Sequence, residues 1–235
     1  MKKSWLAFRK LISPKQLLYV VVFVESLAIT LAIGKALMSQ KPSYTYFNEK
    51  GFITSLSCLQ LAIAGVLSLI IYQTVKSSAN LELNKSALLW LIIGLGLLFL
   101  ALDDRLEIHE QIDFFLHDLF AIEETNITDL ADDLIVGLYL LIFFGCIFWQ
   151  RKIIALFKSS YKWFLIGFAL TIVMIVLDLM SNNDLFTSRF IDPSQDVMFR
   201  EWISDIEDSA KIFAEGMFIV GIYQCQQIVD SIRNL

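Results

Sequence analysis

Six stretches of the chain read as continuous apolar runs, at residues 17–38, 52–75, 87–106, 131–150, 162–181 and 206–228. A bilayer core of roughly 30 Å takes about 20 helical residues to cross, so each run is long enough to span it. None alternates apolar and polar positions with the period of two that a barrel strand needs, so helices are predicted. Most connections are short; 103–130 and 182–205 are the long ones. Within the first, residues 107–120 change pattern. Ile108, Ile112, Phe115, Leu116 and Leu119 fall on one side of a helical projection, and Asp103, Glu107, Glu110, Asp113 and His117 fall within about 120° on the other. This predicts an amphipathic helix after the third span. The expected fold is all-α, a six-transmembrane-helix bundle with residues 1–235 forming a single membrane domain.

Composition agrees with that pattern. Of 235 residues, 57% are hydrophobic and only 18% charged, with 3 Pro and 10 Gly, which excludes a disordered or collagen-like chain. A pI near 5.1 and the lack of a basic run argue against a nucleic-acid partner. The basic opening MKKSWLAFRKLISPK is followed by an apolar run too long for a signal-peptide core, so a retained signal-anchor helix is expected. Cys58, Cys146 and Cys225 fall inside spans and have neither disulfide nor zinc-ribbon spacing. Trp90, Trp149, Trp163 and Trp202 stand near span ends, where an interfacial aromatic belt would place them.

Charge sorts by side. With the N-terminus inside and six alternating helices, inner segments hold most of the 19 basic residues, among them Lys2, Lys3, Arg9, Lys10, Arg151 and Lys152. The positive-inside rule then puts both termini in the cytoplasm, in a bacterial-type inner membrane surrounded by lipid. Of the 24 acids, Glu82 and Asp230 lie on the inner side, Glu25 and Glu215 lie deep in helices, and the others gather at or beyond the outer ends of the spans.

Asp132, Asp133, Glu207 and Asp208 open helices, where a carboxylate caps free N–H groups and suits the helix dipole. Asp103, Asp104 and Asp178 close helices, where the dipole disfavours a negative charge, so these three need other partners. One reading leaves the 107–120 helix at the outer interface with its acids in water. The other turns Asp104, His109 and Glu110 into the bundle to meet Asp133, Asp178, Glu207 and Asp208. That set would suit Zn, Mn or Fe, or Ca or Mg without the imidazole. No His-Glu-x-x-His run and no Glu-x-x-His pair supports it from spacing.

Leu102-Asp103-Asp104 followed by Ile108-His109-Glu110, with Glu207-Asp208 opening a late helix, resembles a pattern in bacterial multispanning membrane proteins of no assigned activity. These carry a Leu-Asp-(Asp or Glu)-x4-His-Glu element and a late acidic pair. The resemblance covers two short patches and implies interest in Asp104, His109, Glu110, Glu207 and Asp208 without implying a reaction. The signatures of alkaline-ceramidase-type, Glu-Glu-type and Gly-x-Gly-Asp-type intramembrane hydrolases are lacking in this sequence.

Glu25 and Glu215 approach the bilayer midplane, where a charge costs at least a few kcal/mol and must face the bundle interior or a cavity. Glu207, Lys211 and Glu215, spaced i, i+4, i+8, draw a polar stripe inward from the outer surface. The stripe is either a self-neutralising structural pair or a path for protons or a small cation. Three classes of function remain open. One is a metal-dependent membrane hydrolase or transferase acting on a lipid-type substrate. A second is a proton or cation transporter using Glu25, Lys211 and Glu215. The third is a non-catalytic subunit binding a partner or cations. For the transporter class the spans are few, and a homodimer or membrane complex would supply more.

Overall fold

The computed structural model describes residues 12–48, 50–120, 148–182 and 196–233, with isolated positions 138, 141 and 145 between them. Among the described residues there are helices and connections and no strand. In chain order they are α1 (Pro14–Ser39), α2 (Tyr44–Phe47), α3 (Phe52–Lys76), α4 (Leu81–Lys85), α5 (Ala87–Leu106), α6 (Ile108–Phe120) and α7 (Arg151–Ile154). A 3-10 turn at Ala155–Ser160 then leads to α8 (Tyr161–Asn182) and α9 (Asp196–Arg233). Among the described residues five helices, α1, α3, α5, α8 and α9, are long and apolar enough to cross a membrane. The span expected at 131–150, with Asp132 and Asp133, lies outside the described residues.

Two helix starts depart from the hydropathy reading, for local reasons. α1 begins at Pro14, whose fixed φ suits the first helical position. Ser13 Oγ accepts from Gln16 N at 3.2 Å, and Gln16 Oε1 accepts from Ser13 N at 2.8 Å, a reciprocal capping box. α9 begins at Asp196, ten residues before the apolar run, because a helix outside the hydrocarbon core can carry the charged segment Arg200–Glu201. At 38 residues it is about 57 Å long, well beyond a bilayer core.

α9 is the axis of the bundle: α8 lies along it, α3 crosses it and pairs with α5 on its far side, and α1 touches it. α1 presents a narrow buried stripe of Glu25, Ala28, Ala32 and Ala36, while Tyr19, Phe23, Leu27 and Leu31 on its other faces are exposed, as lipid contact requires. Small residues let helices approach closely where the hydrophobic effect gives no drive between them. Gly65 of α3 and Gly94 of α5 form such a crossing. A Cβ added at Gly65 would sit 3.0 Å from the Gly94 carbonyl oxygen and 2.8 Å from Leu98 Cγ. Gly65→Val is therefore expected to lower stability by about 1–3 kcal/mol, read as a fall in thermal midpoint in detergent.

The bundle interior is divided along its length. Toward the C-terminal ends of α3 and α9 and the start of α5, an apolar layer joins Leu61, Ile71, Val75, Trp90, Leu97, Ile219, Ile222 and Val229. Trp90, expected at an interface, is instead inside this layer, edge-on to Phe157 with ring centroids 5.2 Å apart. Trp163 is also buried and donates to Gln224 Oε1 at 2.6 Å. Trp149 and Trp202 are exposed. A second apolar cluster of Ala28, Ala32, Phe47, Ile53 and Ile212 lies toward the other end. Polar side chains occupy the level between the two.

Candidate functional site

The start of α3 meets α1, the end of α5 and the middle of α9 at one depth. α3 contributes Ser57, Cys58 and Gln60, polar positions within one turn of a mostly apolar helix. Ser57 Oγ lies 2.7 Å from Glu215 Oε1 and 2.9 Å from Asp104 Oδ2. Cys58 Sγ donates to the same Asp104 oxygen at 3.4 Å. Lys211 Nζ forms an ion pair and hydrogen bond with Asp104 Oδ1. Gln60 Nε2 donates to Glu25 Oε1 at 2.6 Å. Asp208, one turn before Lys211, is within electrostatic reach of Lys211, Asp104, Asp205 and Asp178.

Exposure falls along this chain of groups. The Lys211 side chain is 27% exposed and that of Asp104 15%, whereas Ser57 and Glu25 are fully buried. The cluster thus opens at the Asp104 end and stops at Glu25, against the apolar layer. Gly216 makes the close approach of α1 possible, since a Cβ there would overlap Glu25 Oε1.

A hydroxyl carries one proton. Ser57 Oγ can donate to Asp104 or to Glu215, and its other short contact then needs a proton from the carboxyl side. Asp104 already accepts from Lys211 and Cys58, so it is the better-stabilised anion. The consistent arrangement has Glu215 protonated and donating to Ser57 Oγ, with Ser57 donating to Asp104. Proton transfer along such a chain needs only rotation of the hydroxyl and a change of donor.

Among the residues proposed from sequence, Glu25, Lys211 and Glu215 are brought together, and Asp104 joins them rather than His109. The His109 ring Nδ1 is 3.1 Å from Asp103 Oδ2, and Asp103 Oδ1 accepts from the His109 backbone N–H at 3.0 Å. Asp103 thereby caps α6 after the left-handed Glu107 (φ 54°) that ends α5, the partner its position at a helix end called for. Glu110, Asp178 and Glu207 are partly buried, and Asp208, within electrostatic reach of Asp104 and Asp178, is at the margin of the cluster. Among the described residues, no group of three or more His, Cys, Asp or Glu is placed to hold a metal ion. Ser57, Cys58 and Gly216 were not singled out from sequence. Their signal was a Ser-Cys-x-Gln run inside an apolar span and a glycine directly after an intramembrane glutamate.

Fold and cluster together define a multi-pass helical membrane protein with ionisable groups linked inside its bundle. A family model described as a domain of unknown function (DUF8692) matches residues 12–225, and the chain belongs to that family. No curated protein and no solved structure matches it.

Proposed function

We propose that the protein handles protons within the membrane, passing them between the bundle's midplane and its Asp104 end along Glu215, Ser57 and Asp104. The observation that carries this reading is the single Ser57 hydroxyl within hydrogen-bond distance of two carboxylates on two other helices. Lys211 is the positive charge paired with Asp104 at the open end of this relay. Of the three classes left open by the sequence, this is the transporter class. In this reading the chain lies in a bacterial-type inner membrane with both termini cytoplasmic, in keeping with its basic residues. The 131–150 span and an outer-side position for α6 complete the bundle.

The test is flux in proteoliposomes loaded with a pH-sensitive dye and driven by a potassium diffusion potential. Wild-type protein should acidify or alkalinise the lumen according to the sign of the potential, with passage beyond Glu25 through the apolar layer as the slow step. Glu215→Gln and Ser57→Ala should both fall to the rate of protein-free vesicles, while Ser57→Thr, which keeps the hydroxyl, should retain flux. A Ser57→Ala protein as active as the wild type would dispose of the relay.

A further inference from the structure

Donors and acceptors do not balance at the closed end of the cluster. Glu25 Oε2, Gln60 Oε1 and Glu215 Oε2 are all buried and none has a hydrogen-bond partner. Gln60 and Glu215 are each 6% exposed and Glu25 is 0%. With Glu215 protonated through Oε1, all three orphans are acceptors, and an unsatisfied buried acceptor costs about 1–3 kcal/mol. Their neighbourhood is common. Gln60 bonds Glu25 through the other atom of its amide, which puts its carbonyl oxygen within about 5 Å of the Glu25 carboxylate. Glu25 in turn lies against Gly216, the residue next to Glu215, and the two carboxyl groups act on one another electrostatically.

Charge fixes what is missing. The groups facing this junction are Glu25 from α1, Cys58 from α3, Asp104 from α5, and Lys211 and Glu215 from α9, while Asp208 stands at the margin, grouped with Asp205 and Asp178 beyond Lys211. Lys211 offsets Asp104, and Glu215 carries the proton shared with Ser57. Glu25 is then the unmatched negative charge beside three bare oxygens. Oxygen donors select hard cations over thiophilic ones.

We infer that the junction of α1, α3 and α9 binds one bare monovalent alkali cation of the sodium kind, held by Glu25 Oε2, Gln60 Oε1 and Glu215 Oε2. The cation occupies the place that a second proton takes when Glu25 is protonated, so the two compete. This deepens the proton-relay reading and rests on it for the protonation of Glu215. Cation release on protonation would couple the two ions at one site.

Sodium binding to the detergent-purified protein, followed by calorimetry in choline buffer, tests this directly. One saturable site per chain is expected at pH 8.5, with affinity falling about tenfold per pH unit once protons compete. Glu25→Gln and Gln60→Leu should remove the site in protein that stays monodisperse. Ser57→Ala should keep sodium binding while losing proton flux, since it breaks the relay and leaves the three oxygens in place. Absence of saturable sodium binding to folded wild-type protein at pH 8.5, or binding unaltered by Glu25→Gln, overturns the site. So does displacement of sodium by micromolar calcium or magnesium, which would require a second free negative charge. Proton flux without sodium binding would leave the relay standing and sink the cation site. Sodium binding without flux would sink the relay and leave the three oxygens as a cation site in which the proton on Glu215 is not passed on.

Discussion

Alanine at Gly216 is expected to destabilise the bundle at the contact between α1 and α9. Its Cβ would overlap Glu25 Oε1 and stand 2.6 Å from Val21 Cγ1, both on α1. Real side chains do not approach so closely, so α1 must move away or Glu25 must leave Gln60. Overpacking of this kind costs about 1–3 kcal/mol, and loss of the buried bond from Gln60 adds about 1 kcal/mol or more. Thermal unfolding in detergent would register the change. Glu25→Asp in the same chain, shorter by one methylene, draws the carboxylate back and should restore part of the loss. Gly34, also on α1, has nothing within 4 Å of an added Cβ. Gly34→Ala should be neutral or stabilising by up to about 1 kcal/mol, since alanine is the better helix former. Equal losses at both glycines would show that the α1–α9 contact does not depend on close approach.

Lys211→Met is the second large effect. It leaves the Asp104 carboxylate mostly buried with no cation beside it, and breaking one side of a buried pair typically costs about 3–5 kcal/mol. Because Lys211 keeps 27% of its side chain exposed, the lower end of that range is expected. Adding Asp104→Asn removes the stranded charge, so the double variant should recover most of the stability. It should not recover proton flux, since the acceptor of the Ser57 proton has gone. A double-mutant cycle separates the pair energy from the cost of each truncation. Additive single effects would mean that the two side chains do not interact in the folded protein.

The helices were largely legible because hydropathy over 20 residues is a strong signal and each span is read independently. Of the five long apolar helices, α3 and α5 begin where the apolar runs begin, while α9 runs past its apolar run wherever the chain has left hydrocarbon. The site was legible only in part. Glu25, Lys211 and Glu215 were visible as ionisable residues at the wrong depth for lipid. Asp104 was visible too, but it was grouped with His109 because the two are near in sequence. In the structure the left-handed turn at Glu107 sends His109 back to Asp103, while Asp104, one residue on, points across to α9. A projection of one helix cannot register that divergence. Ser57 escaped notice for a related reason. A serine in an apolar span usually bonds the carbonyl four residues back, as Ser68 does to Ala64 at 2.9 Å. Only the register between helices, set by the Gly65–Gly94 crossing and by Gly216, brings two carboxylates to Ser57.

The apolar layer beyond Glu25 has an electrical consequence. From Glu215 to Val229, about 21 Å along α9, the core layer among the described residues runs through Ile219, Ile222 and Cys225 and holds no carboxylate or basic side chain. A membrane voltage drops mainly across such dry, weakly polarisable material and little across a polar, partly exposed stretch. A charge arriving at Glu25 from the Asp104 end therefore crosses a small part of the field. One leaving toward Val229 would cross most of it, at about 2.3 kcal/mol per charge for each 100 mV. Occupancy of the cluster should respond weakly to voltage, and passage through the molecule strongly.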